Sequence, residues 1–130
     1  MLRLLAACLL LLLLAGCNGG TVDRHALKQD SDAIDSLACE GALLARGVVD
    51  GDTTLYFARV HSGELAQRAS NFEDALSERP TLAPIRAKVR AEARHAGAIA
   101  DLLDELHRHP SDGDVAGRVR KKLERAGECS

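Results

Sequence analysis

Apolar and polar positions along this chain follow two regimes. From Leu4 to Leu14 almost every position is apolar and no polar face is left. From about residue 32 onward, apolar residues recur at three- and four-residue spacing, the signature of amphipathic helices. Ile34, Leu37, Ala38, Gly41, Leu44, Ala45 and Val48 form the first stripe, predicting a helix over Asp32–Arg46. Asp30, Ser31, Asp32 and Asp35 suit its N-terminus, and Gly47 is a plausible stop. Ala58, Ser62, Leu65, Ala69, Phe72 and Leu76 predict a second helix over Thr54–Arg79, interrupted by Gly63 and ended before Pro80.

Thr81 is expected to cap a third helix over Leu82–Arg108, with Pro84 tolerated in its first turn. Ile85, Val89, Ala96, Ile99, Leu102, Leu103 and Leu106 share one face of it, while Arg86, Arg90, Arg94, Asp101, Asp104 and Glu105 occupy the other. After His109-Pro110, Ser111 and Asp114 stand at capping-box spacing before a fourth stripe of Val115, Val119, Leu123 and Ala126. Gly127 ends that helix. Helices joined by short connections pack antiparallel to their sequence neighbours. The expected fold is all-α: a small up-and-down helical bundle of four helices, or of three plus an appended helix. Tyr56, Phe57 and Val60 fall outside the second stripe. In a small bundle they are expected to cover a neighbouring element; the alternative is a binding patch.

The leading apolar run has a different meaning. Arg3 precedes it, and small residues Ala15 and Gly16 follow, which is the layout of a secretory signal peptide. The run is about a dozen residues, whereas a spanning helix needs about 20. Leu14-Ala15-Gly16-Cys17 resembles the lipobox of bacterial lipoproteins at all four positions. The resemblance implies a diacylglyceryl thioether on Cys17 and cleavage that leaves Cys17 as the first mature residue. It also implies a cell-envelope location. By the same resemblance, Asn18 favours the periplasmic face of the outer membrane in a two-membrane organism, and otherwise the anchor holds the outer face of the cytoplasmic membrane. Residues 1–16 are thus the expected signal peptide, 17–31 a lipidated cysteine with a polar tether, and 32–130 the bundle.

Composition narrows the options further. The chain of 130 residues carries 17 Lys+Arg against 19 Asp+Glu, and removing the leader takes away Arg3 and no acidic residue. A nucleic-acid partner is not expected of so weakly acidic a domain. Cys8 leaves with the leader, so Cys39 and Cys129 remain to pair, as an even pair in an exported chain does. Cys39 lies off the first apolar stripe, so the disulfide is expected to join surface to surface.

Candidate chemistry is sparse. Glu92-Ala93-Arg94-His95 has the Glu-x-x-His spacing of carboxylate-bridged metal sites, which need two copies and two further glutamates. There is one copy here, and Glu73 and Glu40 offer no matching histidine. The alternative is that Glu92 pairs with Lys88 or with an arginine of another helix. His107 and His109 beside Asp104 make at best part of a metal site. Asp50-Gly51-Asp52-Thr53 lacks the closing glutamate of a calcium loop and reads as a turn with a cap at Asp52 or Thr53. Arg118, Arg120, Lys121, Lys122 and Arg125 give the fourth helix a basic face that is either solvated or turned to anionic lipid. No serine stands on a strand-to-helix elbow, and no cofactor is implied. The expected function is a membrane-anchored, non-enzymatic helical module that docks an envelope protein. The alternative is a metal- or small-ligand-binding bundle centred on Glu92 and His95.

Overall fold

A computed structural model describes residues 20–130, which form four helices. They are α1 (Arg24–Asp50), α2 (Leu55–Glu78), α3 (Arg86–Arg108) and α4 (Gly113–Ala126), with a 3-10 turn at Ala83–Ile85 leading into α3. The expected all-α bundle is therefore what the chain adopts. Cys17 and the leader lie outside the described residues.

Cross-helix pairings give the directions. Asp30 meets Arg79, and Glu40 meets His61, so α1 and α2 run antiparallel. Gly63 lies under His107 and Gly97 under Glu73, which makes α2 and α3 antiparallel. Cys39 joins Cys129 while Arg46 meets Glu124, so α4 runs antiparallel to α1. Asp35 with His95, and Gly41 with Leu103, show α1 and α3 parallel across the diagonal. The topology is up-down-up-down. The pairs α2 with α3 and α1 with α4 share the most extensive contacts.

The core is aliphatic. Ile34, Leu37, Leu65, Ile99, Leu103, Leu106 and Leu123 are essentially inaccessible to solvent. Small residues let the helices close. The Cα of Gly41 faces the Leu103 and Leu123 side chains with no room for a Cβ. Burial of these side chains supplies about 1.5–3 kcal/mol each before entropy is subtracted.

Helix ends depart from expectation in instructive ways. α1 begins at Arg24, so residues 24–31, expected as tether, are helix. Asp23 caps it by accepting from the Ala26 amide at 2.8 Å, while Asp32 lies mid-helix in an ion pair with Lys28. Gly47 does not stop α1. Gly51 does, at φ 73, where its amide donates to the Gly47 and Val48 carbonyls. Thr54, rather than Asp52 or Thr53, caps α2 through the Phe57 amide. At α4 the cap is Asp112, not Ser111; its carboxylate accepts from the Asp114 and Val115 amides at 3.0 Å. The bond from Val115 is the largest influence on the Asp112 carboxyl; burial opposes it next, and the Asp114 bond with the charges of His109 and Arg118 leaves the group below the ordinary aspartate value.

Thr81 does not cap α3. It forms an isolated parallel bridge with Val22. The Val22 amide donates to the Pro80 carbonyl at 2.8 Å and the Leu82 amide to the Val22 carbonyl at 3.4 Å. Val22 is 0% exposed and belongs to the core. The chain before α1 is thus clipped to the α2–α3 connection.

Candidate interaction surface

α1 and α2 meet at the Gly51 turn, and beside it several large apolar side chains remain in water. Leu43 is 64% exposed, Tyr56 78%, Phe57 53% and Val60 39%. Val49 and Leu55 are exposed at the same corner. The expectation that Tyr56, Phe57 and Val60 cover a neighbouring element does not hold. They sit in the first turns of α2, where the core-facing stripe uses Ala58 and Ser62 instead. Of the aromatic residues, Phe72 alone packs against the core.

A groove of about 270 Å³ runs along this corner between Leu43 and Leu44 of α1 and Phe57 and His61 of α2. Its polar edge is organised. His61 Nε2 stands 2.9 Å from Glu40 Oε1, and its Nδ1 stands 3.6 Å from Glu64. Arg68 approaches the other Glu40 oxygen at 3.7 Å. The Phe57 ring stacks on His61 with centroids 5.2 Å apart. The result is an exposed apolar ridge with a paired charged rim, the arrangement found at the centre and edge of protein interfaces. His61 carries no sequence signal of its own, because its partner Glu40 lies on another helix. The cue within reach was three large apolar side chains off the core stripe.

The residues singled out in the sequence are dispersed rather than gathered. Cys39 and Cys129 are joined, with Cα atoms 5.5 Å apart, across a sequence separation of 90. The bridge is half-buried at the seam between α1 and the tail, where Gly127 lies against the Asp35 backbone, rather than joining two open surfaces. His95 does not turn towards a shared site with Glu92. Its Nε2 stands 3.3 Å from Asp35 Oδ1, tying α3 to α1. Glu92 pairs neither with Lys88 nor with an interhelical arginine. Its Oε1 is buried without a hydrogen-bond partner, beside a cleft of about 460 Å³ lined by Arg24, Lys28, Asp32 and Lys88. Among the described residues, no group of three or more His, Cys, Asp or Glu side chains assembles to hold a metal ion.

His107, Asp104, Arg118 and Arg120 have structural partners. His107 Nδ1 donates to the Arg59 carbonyl at 2.8 Å across the α2–α3 seam, and Asp104 accepts from Arg108 at 2.9 Å. On α4, Arg118 reaches Glu105 at 2.9 Å and Arg120 approaches Glu124 at 3.8 Å. Among the described residues no helix is long and apolar enough to cross a membrane. Comparison with protein families, characterised proteins and solved structures finds no match for this chain.

Proposed function

We propose that this chain is a lipid-anchored envelope protein whose helical domain docks a partner protein at the α1–α2 corner. The observation that carries the reading is the exposed ridge of Leu43, Tyr56, Phe57 and Val60 beside the Glu40–His61 pair. Aromatic side chains bury large areas at small entropic cost, and anchors of interfaces are enriched in them. Attachment through Cys17 is supported by the lipobox at residues 14–17. Two acyl chains or more give stable anchoring. The domain then needs no membrane span of its own, and its task is to hold a partner at the membrane.

Photocrosslinking from position 56 in intact envelopes tests docking. The expected result is one reproducible protein adduct that disappears in the F57S variant while the melting temperature stays unchanged. Adducts that survive F57S, or none at all, overturn the docking site. Intact-mass measurement of the mature protein tests the anchor: a diacylglyceryl mass is expected on Cys17 and is lost in C17S.

A second reading, ligand binding at Glu92, draws on its unpartnered Oε1 and the adjoining cleft. A rise in melting temperature with an added divalent cation, abolished in E92Q, would support it.

A further inference from the structure

We propose that the cleft between the end of α2 and the start of α3 binds a phosphate group. The cleft measures about 260 Å³ and is lined by Ser77, Arg79, Thr81, Arg86 and Arg90 together with Leu76 and Val89. Three arginines and two hydroxyl-bearing residues line it, with no carboxylate residue among them, and Arg86 and Arg90 are exposed to solvent. Arginine presents a planar fork of donors that matches phosphate oxygens, and such charge-assisted bonds are about twice as strong as neutral ones.

The local balance of charge calls for an anion. Arg79 is held in place by Asp30 at 3.5 Å and by the Gly20 carbonyl at 3.3 Å. Its remaining nitrogen, Nε, is buried without a hydrogen-bond partner. A buried donor left unmade is costly. Among the described residues, no carboxylate oxygen lies within 4.0 Å of the Arg86 or Arg90 guanidinium. These two arginines also stand in the first turns of α3, which has no acidic residue in its first turn. Cations at a helix N-terminus oppose the helix dipole, and an anion seated there reverses the sign of the interaction.

Placement favours a phosphate at a membrane. Gly20 bonds to Arg79, so the chain leaves towards Cys17 at the edge of the cleft. Leu82 next to it is 49% exposed. Two residues, Asn18 and Gly19, separate Cys17 from Gly20, and the three Cα steps reach about 10 Å when extended. The α4 cations, by contrast, stand on the helix that ends level with Asp35, well short of this exit. The phosphate source is a phospholipid headgroup or free phosphate. The headgroup source rests on the lipid anchor proposed above; the free-phosphate source does not.

Hydrogen exchange of residues 76–90 in the full acylated chain distinguishes them. The probes are vesicles of phosphatidylglycerol, vesicles of phosphatidylcholine, and inorganic phosphate or acetate added to detergent micelles at equal ionic strength. Protection in phosphatidylglycerol vesicles over phosphatidylcholine assigns the headgroup. Protection by inorganic phosphate over acetate, without a vesicle difference, assigns free phosphate. Each arginine near an anionic surface is worth about fivefold in affinity, so R86Q/R90Q should weaken binding about 30-fold. The melting temperature of R86Q/R90Q, taken without any added phosphate, separates lost binding from lost folding. Equal exchange under all conditions, or protection unchanged in R86Q/R90Q, overturns the proposal. Flotation of the protein with the phosphatidylcholine vesicles is read in the same samples. Without the anionic headgroup it reports the anchor, so a failed anchor and an empty cleft give different results.

Discussion

The two ends of the bundle are built differently. At the end holding the Gly51 turn, four helices surround the core. At the other end α4 is missing, because it has 14 residues against 27 in α1. At 1.5 Å per residue the difference is about 20 Å. The wide end closes with leucines meeting at Gly41 and has apolar side chains to spare on its outside. The narrow end closes with backbone: Val22 is drawn into the core by its bridge to Thr81. Its outside is charged, and the Arg79, Arg86 and Arg90 cleft lies there. A helix that stops halfway thus divides one small fold into an end with surplus apolar surface and an end with surplus charge.

Breaking the link between the halves should cost most. The Cys39–Cys129 bond closes a loop of sequence separation 90, worth about 4–5 kcal/mol as chain entropy. Urea unfolding of C39S/C129S should show a loss near that size. A loss below about 1 kcal/mol would mean that α4 holds its place without the bond. Next comes the wide end. Leu103 is fully buried against Gly41, so Leu103→Ala should cost about 3 kcal/mol.

At the narrow end, Val22→Ala should cost about 1–2 kcal/mol in the same assay. It should also speed exchange of the Leu82 amide, which donates to Val22. A larger loss from Val22→Ala than from Leu103→Ala would reverse the view of which end carries the core. The smallest effect concerns the start of α4. The folded Asp112 value is depressed, so its contribution is present above the unfolded aspartate value of about 3.9 and is lost as pH falls through the folded value. The melting temperature of Asp112→Asn should therefore fall less steeply than that of the parent over this range.

The sequence announced the helical stripes well and the helix ends poorly, at both ends of the bundle. Each helix must bury an apolar stripe, which side-chain spacing displays, and α2 begins and ends within a residue of its expected limits. Caps and stops depend on single local bonds: Gly51 rather than Gly47 ends α1, and Asp112 rather than Ser111 caps α4. Residues 24–31 of α1 contribute Leu27 to the core edge and otherwise read as polar tether. The Val22–Thr81 bridge joins segments far apart in sequence through backbone atoms, which no pattern of side chains displays. The same holds for the candidate surfaces. Glu40 with His61, and Arg79 with Arg86 and Arg90, lie on different helices. Their assembly depends on rotation about each helix axis and on the turn at Pro80, whereas Cys39 and Cys129 could be matched by arithmetic alone.

That cysteine pair also bears on the birth of the molecule. Cys39 is made early and Cys129 some ninety residues later. With Cys8 removed and Cys17 acylated as proposed, a chain interrupted anywhere before residue 129 has no partner for Cys39 and carries an odd thiol. The bond therefore acts as a receipt for synthesis through the last helix, and a thiol reagent applied to freshly made protein would sort finished copies from unfinished ones.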